Sequence, residues 1–422
     1  MERLQKKYDV IVVGGGASGM MAAGRAAERG LRVLILEKNK NLGEKLKISG
    51  GGRCNITNAE KDVHEFLKHY GKAAPFLYSP FSQFGGGDTF AFFEGKDLPL
   101  VVQARKRAFP HTERAIDVYK TLEEYLKTGQ VTIKSNAKVS RILFQKEKIT
   151  GIICGNATYT GESYILATGG VSHPETGSTG DGFKWLKALG HTVADPTPTI
   201  VPLAVKDPWI KSLAGVSLSF MKITFYADGV KKFSKTGKLL FTHFGLSGPL
   251  ILNSSGMVAG LLEGGAIVTA TIDAYPDTDE GSLEKKIIKT FDANKNKMLK
   301  NVMKSIVPEG TSEAIVTLLG NIDPDTKVHS VTKDERKALV NLLKGLPVTI
   351  EGLMGYDRAV VADGGVPLSE IDTKTMRSKK YDNLYIIGDL LHITRPSGGF
   401  SLQLCWTSGY VAGDHAGSSA KV

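Results

Sequence analysis

The sequence predicts an α/β fold of the Rossmann type, made from the two ends of the chain. The first forty residues contain an apolar run, a glycine-rich turn, an alanine-rich helical stretch and a second apolar run. A strand followed by a glycine-initiated helix returns near the C-terminus, within 381–412. Between these segments lie strand-rich stretches (203–244 and 266–274) and a stretch of helical periodicity (283–346). The α/β pattern is therefore expected to be interrupted by inserted parts.

The first turn has the spacing of a dinucleotide-binding fingerprint. An apolar run at 7–13 leads into Gly14, Gly16 and Gly19, and Glu37 ends the second apolar run. Gly14 allows a tight turn, Gly16 lets the backbone approach a pyrophosphate, and Gly19 lets helix and strand pack closely. Glu37 can accept ribose hydroxyls and would repel a 2′-phosphate. The expected ligand is FAD or NAD rather than NADP; the alternative, a glycine turn of another α/β protein, leaves Glu37 unexplained.

A second glycine-rich segment lies within 38–58. Its three consecutive glycines, 50–52, free the backbone to lie against a flat group or to donate several N–H groups to one ligand. Lys45, Lys47 and Arg53 add positive charge. The alternative is a flexible surface loop, which the interleaved apolar residues disfavour.

Two strand ends are expected to complete a nucleotide site. A predicted strand at 161–167 ends in the small residues 167–170, which can lie over a nucleotide. A buried strand at 381–388 ends in Gly388-Asp389, where the carboxylate can bond a polyol chain. The next helix opens at Gly398-Gly399, so its N–H groups and dipole can face the O2 and N1 edge of a flavin. These features favour FAD over NAD, and NAD(P)H is then expected only as a transient electron donor.

Other elements are expected in chain order. They are helices at 63–70 and 112–127, a loop at 85–88, one strand over 131–144, and a hairpin partner at 146–153. Prolines at 196, 198 and 202 mark a boundary. The expected domains are a first FAD-binding part at 1–195, a β-rich domain at 196–280, a helical domain at 281–346 and a second FAD-binding part at 347–422.

Composition describes an ordinary globular chain. The 422 residues are 41% hydrophobic and 23% charged, and their formal net charge is +11. Seven lysines lie within 282–304, which indicates either a solvated helix face or phosphate contacts. The three cysteines form no C-x-x-C pair, so neither a dithiol centre nor a metal site is expected, and a reducing cytoplasm fits. No signal peptide or membrane span is predicted, because the longest apolar stretch, 249–272, is interrupted by polar residues.

Several strings resemble those of the HI0933-like bacterial flavoproteins over nearly the whole chain. They are VVGGGASGMMAA (12–23), SGGGRCNITN (49–58), ATGG (167–170), TGSTGDGF (176–183), THFGLSGP (242–249) and GGV (364–366). The resemblance implies bound FAD and a two-part FAD-binding domain, into which a β-barrel-like domain and a small helical domain are inserted. By matching position it implies these lining residues: Gly14, Gly16, Ser18, Gly19, Glu37, Lys38, Lys45, Ser49, Gly50, Asn55, Val139, Ala167, Thr168 and Gly169.

The glycine-rich segments and the C-terminal turn add further candidate cofactor residues: Ala17, Gly51, Arg53, Cys54, Gly388, Asp389, Gly399, Phe400 and Ser401. The family's C-terminal motif usually reads GE-x-L-D followed by TGGYN. This chain has Asp389 in place of Glu, His392 in place of Asp and Ser401 in place of Asn. A shorter acid still reaches a ribityl hydroxyl, whereas the other two changes alter the polar groups near the flavin.

Three residues are candidates for catalysis. His243, in the THFGLSGP string, could deliver or take a proton near neutral pH; the alternative is a histidine bonded within a structural turn. His392 and Arg395 precede the flavin-facing helix, and Arg395 could hold an anionic substrate or form a surface salt bridge. Cys54 is expected to be a packed small residue, since no second cysteine is placed to resolve it.

The expected function is that of a FAD-dependent oxidoreductase acting on a small or medium organic substrate, with hydride passing through flavin N5. NAD(P)H is a candidate electron donor, and oxygen is a candidate acceptor. Two alternatives stay open. One is a flavin-dependent tRNA-modifying enzyme, for which the charge of +11 would serve phosphate contacts. The other is a FAD-binding redox sensor that signals through a partner.

Overall fold

The structure is a computed structural model, and it describes residues 8–417 apart from residue 321. The chain divides into two compact units. The first combines residues up to 197 with those from 360 onward, and the second spans 198–359.

In chain order, the described residues form the strands β1 (Tyr8–Val13), β2 (Val33–Leu36), β3 (Thr57–Asn58), β4 (Leu100–Gln103), β5 (Arg107–Pro110), β6 (Val131–Lys134), β7 (Val139–Gln145), β8 (Lys148–Cys154), β9 (Ala157–Tyr159), β10 (Gly161–Leu166), β11 (Ala194–Thr199), β12 (Leu203–Val205), β13 (Ser217–Ala227), β14 (Val230–Thr242), β15 (Gly245–Ser247), β16 (Val268–Asp273), β17 (Leu346–Leu353), β18 (Val361–Gly365), β19 (Ile371–Asp372), β20 (Arg377–Ser378) and β21 (Leu384–Ile386).

The α-helices of the same residues are α1 (Ala17–Glu28), α2 (Glu44–Ile48), α3 (Val63–Lys68), α4 (Ala74–Gln83), α5 (Gly86–Glu94), α6 (Ala115–Lys127), α7 (Asp181–Ala188), α8 (Pro208–Ser212), α9 (Pro249–Leu252), α10 (Ser255–Glu263), α11 (Glu280–Asp292), α12 (Leu299–Met303), α13 (Ser312–Leu319), α14 (Lys333–Lys344) and α15 (Phe400–His415).

The first unit is built on a seven-stranded sheet of order β19-β20-β21-β10-β1-β2-β6. The five strands from β21 to β6 are parallel, and the two strands before them add an antiparallel edge. Val13 is in register with both Leu36 and Leu166, and Leu166 is in register with Ile386. Four strands therefore end at the same edge, where α/β sheets bind their ligands.

Helices α1 and α15 pack closely on each other because glycines face the contact. A Cβ on Gly409 would lie 2.5 Å from the carbonyl oxygen of Ser18, and one on Gly413 would lie 2.4 Å from that of Ala22. The N-terminal and C-terminal segments of the chain thus share one core. This confirms the expected Rossmann-like domain made of two segments.

The second unit contains a closed six-stranded barrel of order β12-β15-β14-β13-β16-β17. Helices α11 to α14 share one hydrophobic core with the barrel strands. The inserted β-barrel and the helical part are therefore both present, as the predicted fold class requires.

Several local expectations are wrong. Residues 346–353 form a barrel strand, paired with β12 and β16, although the sequence pattern predicts that the returning FAD-binding part begins at 347. Residues 85–88, expected to be a loop, are the cap and first residues of helix α5, because the Asp88 carboxylate accepts the Gly85 N–H at 2.8 Å. The expected single strand over 131–144 is split into β6 and β7, which lie in different sheets.

Candidate functional site

Among the glycines of the first turn, 14–16 and 19, only Gly16 has open space around the position of an added Cβ. A Cβ on Gly14 would lie 2.5 Å from the Ala167 carbonyl oxygen, and one on Gly19 would lie 1.9 Å from the Gly14 carbonyl oxygen. Any side chain at position 14 or 19 would therefore overlap with neighbouring backbone atoms, so both positions require glycine. Gly16, the residue that precedes helix α1, has no atom within 4 Å of an added Cβ. The backbone at Gly16 is thus free to approach a ligand phosphate, as the fingerprint requires.

The Glu37 carboxylate is hydrogen-bonded to this turn. Its Oε2 accepts the Gly15 N–H at 2.7 Å and its Oε1 accepts the Asn39 N–H at 2.8 Å. The residue is only 7% exposed. Each oxygen keeps a lone pair, so the carboxylate can also accept ribose hydroxyls. Ala137 donates its N–H to the Glu37 carbonyl, which brings the chain leading to the buried Val139 beside this site.

Lys38 reaches a glycine-rich loop that the sequence pattern did not place. Its Nζ contacts Thr179 Oγ1 at 2.5 Å and Asp181 Oδ2 at 3.0 Å. A Cβ on Gly182 would lie 2.2 Å from Thr168 Oγ1, so the TGSTGDGF string packs directly on the end of β10. Gly169, in the same strand end, has φ +72°. Lys38 and the residues after β10, Ala167 to Gly169, are thus linked by the same loop.

The second glycine segment has an open, left-handed backbone. Gly50, Gly51 and Gly52 have φ values of +59°, +68° and +83°, and an added Cβ would meet no atom within 4 Å at the last two. Ser49 accepts the Cys54 N–H at 3.0 Å, which closes the turn. Cys54 itself is fully buried, and this burial raises the pKa of its thiol to about 12. A packing role for Cys54 agrees with that shift, because the thiolate is disfavoured.

Arg53 contacts residues of the β4–β5 hairpin and of the turn after it. Its guanidinium contacts Glu113 and Gln103, each at 2.8 Å, and lies 4.4 Å from the Phe109 ring centroid. These partners explain its orientation.

A buried polar cluster joins the glycine segment to the C-terminal turn. Lys45 Nζ lies 2.5 Å from Ser172 Oγ and 3.3 Å from Asp389 Oδ2. Arg395 pairs with the other oxygen of Asp389 and donates through Nε to Ser401 Oγ at 3.2 Å. Burial opposes ionisation of Asp389, but the charges of Lys45 and Arg395 outweigh it and lower its pKa.

Arg395 is only 3% exposed, and its Nη1 donates to the Ile393 carbonyl at 2.6 Å. The expectation of a surface salt bridge is wrong, because both Arg395 and Asp389 lie inside the fold. Direct contact between Arg395 and a substrate also lacks support, since each of its nitrogens already has a partner. The arrangement favours a positioning role, in which Arg395 orients Asp389 and Ser401.

The start of helix α15 is held by Asn55, which the resemblance implies as a cofactor residue, and by Thr57 and Tyr70, which the sequence did not single out. The hydrogen-bond pattern orients the Asn55 amide so that it accepts the Gly399 N–H at 2.9 Å. A Cβ on Gly399, where φ is +99°, would lie 2.2 Å from the Thr57 carbonyl carbon. Tyr70 donates its hydroxyl to the Phe400 carbonyl at 2.8 Å. Phe400 is therefore buried and fixed from two sides.

His69 adds an ionisable ring beside this helix start. Its ring centroid lies 4.3 Å from that of Phe400. Burial lowers the pKa of His69, and the carboxylates of Glu60 and Glu65 partly offset that effect. The neutral imidazole is thus favoured near pH 7.

The two histidines predicted to be catalytic, His243 and His392, lie in different units. His392 is exposed in the first unit, where its backbone N–H donates to the Val366 carbonyl at 2.9 Å. His243 belongs to the second unit, in the exposed turn between β14 and β15, with its ring centroid 4.9 Å from that of Phe244. The catalytic role of each stays a prediction.

The residues of the first unit fit FAD. The open backbone at Gly16 suits a pyrophosphate, the buried Glu37 suits a ribose, and the open glycines 51 and 52 leave room for a flat group. Among the residues described, no three His, Cys, Asp or Glu side chains are grouped as a metal site would require. None of the helices in the described ranges is both long and apolar enough to cross a membrane.

Comparisons with known proteins agree with this fold. A 3-dehydro-bile acid delta(4,6)-reductase from Clostridium scindens is 29% identical over 405 residues, which cover 95% of this chain and 97% of that protein. A ribosomal RNA dihydrouridine synthase from Escherichia coli is 28% identical, with coverage of 96% and 97%.

Two solved structures share the fold. A flavocytochrome c3 fumarate reductase has a TM-score of 0.53 at 17% identity, and the match covers 97% of this chain and 78% of that one. A 3-ketosteroid-delta4-(5alpha)-dehydrogenase from Rhodococcus jostii has a TM-score of 0.52 at 15% identity, with coverage of 99% and 98%.

The family model described as the HI0933-like protein Rossmann domain matches residues 8–415. The chain therefore belongs to the HI0933-like family, and it is a flavoprotein oxidoreductase with a Rossmann-like FAD-binding fold.

Proposed function

We propose that this oxidoreductase reduces a carbon–carbon double bond conjugated to a carbonyl group, with NAD(P)H as the electron donor. The observation that carries the proposal is the chemistry shared by two relatives that match along nearly their whole length. One is named for reducing the Δ4,6 bonds of a 3-dehydro bile acid, and the other for making dihydrouridine in ribosomal RNA. Both names describe the reduction of a double bond next to a carbonyl.

Within the proposal, the first unit holds the cofactor. The proposed contacts are the Gly14–Gly19 turn with Ala17 and Ser18, the ribose acceptor Glu37, the glycine segment 49–55, and the strand ends at 167–169 and 388–389. Gly399, Phe400 and Ser401, at the start of α15, are proposed to lie beside the flavin, where N–H groups and the helix dipole favour negative charge. When bound, FAD supplies hydride transfer through N5.

Reduction of a conjugated double bond also needs a proton at the carbon next to the carbonyl. His392 and His243 are the proposed donors, because each ring is exposed and histidine is the side chain most often used as a general acid. Arg395 is proposed as a positioning residue, since its guanidinium holds both Asp389 and Ser401.

In a second candidate function, the double bond that is reduced belongs to an RNA base. The formal charge of +11 and the exposed lysines of the helical part would serve phosphate contacts. Those lysines are Lys285, Lys286, Lys289, Lys295, Lys297, Lys300 and Lys304.

The test is anaerobic turnover with NADH or NADPH on two substrates, a 3-oxo-4-ene steroid acid and a uridine-containing ribosomal RNA fragment. Mass spectrometry would read the gain of two hydrogen atoms. His392→Asn and His243→Asn should each be assayed; a proton donor should lose turnover while keeping flavin content and reduction by the nicotinamide. Failure of both substrates to gain hydrogen, with an enzyme whose flavin is reduced normally, would overturn the proposal.

A further inference from the structure

The tip of the β4–β5 hairpin, residues 103–107, carries three consecutive basic residues close to the start of helix α15. We propose that Arg105, in this tip, binds an anionic oxygen group of the substrate, a carboxylate or a phosphate. The inference rests on the proposed function, because it assigns a substrate contact beside the proposed flavin-facing helix start.

The tip has an unfavourable backbone conformation. Arg105 has φ +61° and Lys106 has φ +56°, so two successive non-glycine residues adopt the left-handed conformation. Each such residue costs about 1–2 kcal/mol relative to right-handed geometry. Glycine would avoid this cost, yet the sequence places two cations there. Strain of this kind is concentrated at sites where side-chain placement matters.

Asn58 joins the tip to the helix start. Its Nδ2 donates to the Arg105 carbonyl and to the Gly398 carbonyl, each at 3.2 Å. Strand β3 also pairs with β5, with Asn58 opposite Arg107. Because Gly399 packs against the Thr57 backbone, the same short strand supports both elements. The backbone of Arg105 is therefore linked through Asn58 to the turn that precedes α15.

The neighbouring cations already have partners. Lys106 pairs with Glu60, Arg107 donates to the Ala104 carbonyl at 3.1 Å, and Arg53 pairs with Glu113. The Arg105 side chain is exposed, and its guanidinium makes no hydrogen bond or ion pair within the described part of the chain. Its planar fork can bind a carboxylate or a phosphate through two parallel hydrogen bonds. Arg105 is thus the cation of this tip that is free to bind a ligand.

The test compares charged and neutral members of two ligand pairs on the oxidised, FAD-loaded protein. The pairs are uridine 5′-monophosphate with uridine, and a 3-oxo-4-ene steroid carboxylic acid with its methyl ester. Binding is read from the change in the flavin absorption spectrum, without an electron donor. The variants are Arg105→Gln, Arg105→Lys, and Arg141→Gln as a control that removes an equal charge from an exposed position on β7.

Arg105→Gln should weaken binding of a charged ligand by about tenfold, equivalent to ~1.4 kcal/mol, and leave its neutral partner unchanged. Arg105→Lys should recover part of the loss, and Arg141→Gln should behave as the wild type. The pair that responds identifies phosphate or carboxylate as the group bound. Equal loss for charged and neutral ligands would overturn the inference, and so would absence of any charge preference in the wild type. Because no reduction is measured, a failure of the proposed reaction would be separate from this result.

Discussion

Glu37 accepts the backbone N–H of Gly15 at 2.7 Å, so the acid that follows β2 holds the glycine turn that follows β1. The pair joins two parts of the dinucleotide fingerprint directly. Glu37 therefore has two tasks in this account: it orients the turn, and it keeps free lone pairs for a ribose.

Replacement of Glu37 should strongly reduce FAD retention. Glu37→Ala removes both acceptors and should weaken FAD binding about 100-fold, because hydrogen bonds to a charged acceptor are among the stronger ones. Glu37→Gln should be intermediate, since one amide oxygen replaces two carboxylate oxygens. The measurement is the ratio of flavin to protein absorbance together with FAD titration of the stripped protein.

The matched control is Glu124→Gln, on an exposed side chain of α6. Circular dichroism should show a folded protein for all three variants. Wild-type flavin content in folded Glu37→Ala would contradict the ribose assignment.

Loss of the Asp389 carboxylate should destabilise the first unit in a pH-dependent manner. Asp389→Asn leaves Lys45 and the buried Arg395 without their counterion, at a cost of about 2–3 kcal/mol in the free energy of unfolding near pH 7. The folded pKa of Asp389 lies below its ordinary value of 3.8. The ionised Asp389 therefore contributes fully to the free energy of unfolding above about pH 4, and this contribution is lost as the pH falls through the folded pKa.

Urea unfolding between pH 7 and pH 3 measures this difference. The stability difference between wild type and Asp389→Asn should shrink as the pH falls below about 4, because the unfolded wild-type chain then takes up a proton at Asp389 that the folded protein resists. Asp382→Asn, on an exposed aspartate of the same segment, should track the wild type throughout. A difference that stays constant over the whole range would show that ionisation of Asp389 does not stabilise the cluster.

Gly399 should not tolerate a side chain. Gly399→Ala would place a Cβ against the Thr57 backbone at a positive φ, and we expect it to lower the free energy of unfolding by about 3 kcal/mol. Gly190 also has a positive φ, +80°, but open space around an added Cβ. Gly190→Ala should therefore cost only about 1 kcal/mol.

Thermal unfolding of the two alanine variants, with flavin content measured on each, compares their stabilities. Gly190→Ala reports the cost of the positive φ alone, whereas Gly399→Ala adds the steric overlap of the new Cβ with the Thr57 backbone. Gly399→Ala should also lose FAD, because the start of α15 would shift. Equal destabilisation by the two substitutions would mean that the close approach to Thr57 is not rigid.

The sequence predicted the parts of this site that are local in the chain. Gly14, Gly16, Gly19 and Glu37 lie within one βαβ unit, so their spacing alone indicates their geometry. Ser172 beside Lys45 could not be found in this way, because the contact joins positions 127 residues apart. Burial of Arg395 was missed for the same reason: its position before a helix reveals no partner.

The wrong predictions for two elements, β17 and α5, also arise because only the local sequence was available. Strand β17 follows the inserted helices, and nothing in its residues tells a barrel strand from a returning strand of the parallel sheet. Helix α5 was missed because the three glycines 85–87 are typical of a loop, whereas the Asp88 side chain caps a helix that starts at Gly86. The left-handed backbone at Arg105 and Lys106 carries no signal in residue type.

The most direct test of the account is an anaerobic experiment on the purified, FAD-loaded protein. NADH or NADPH is added first, and then a conjugated acceptor, either the steroid acid or the uridine-containing RNA. We predict that the flavin band near 450 nm bleaches with a nicotinamide and returns when an acceptor is added, with product formed in equal amount. A flavin that bleaches but is reoxidised by neither acceptor would contradict the proposed reaction, and one that no nicotinamide reduces would contradict the proposed donor.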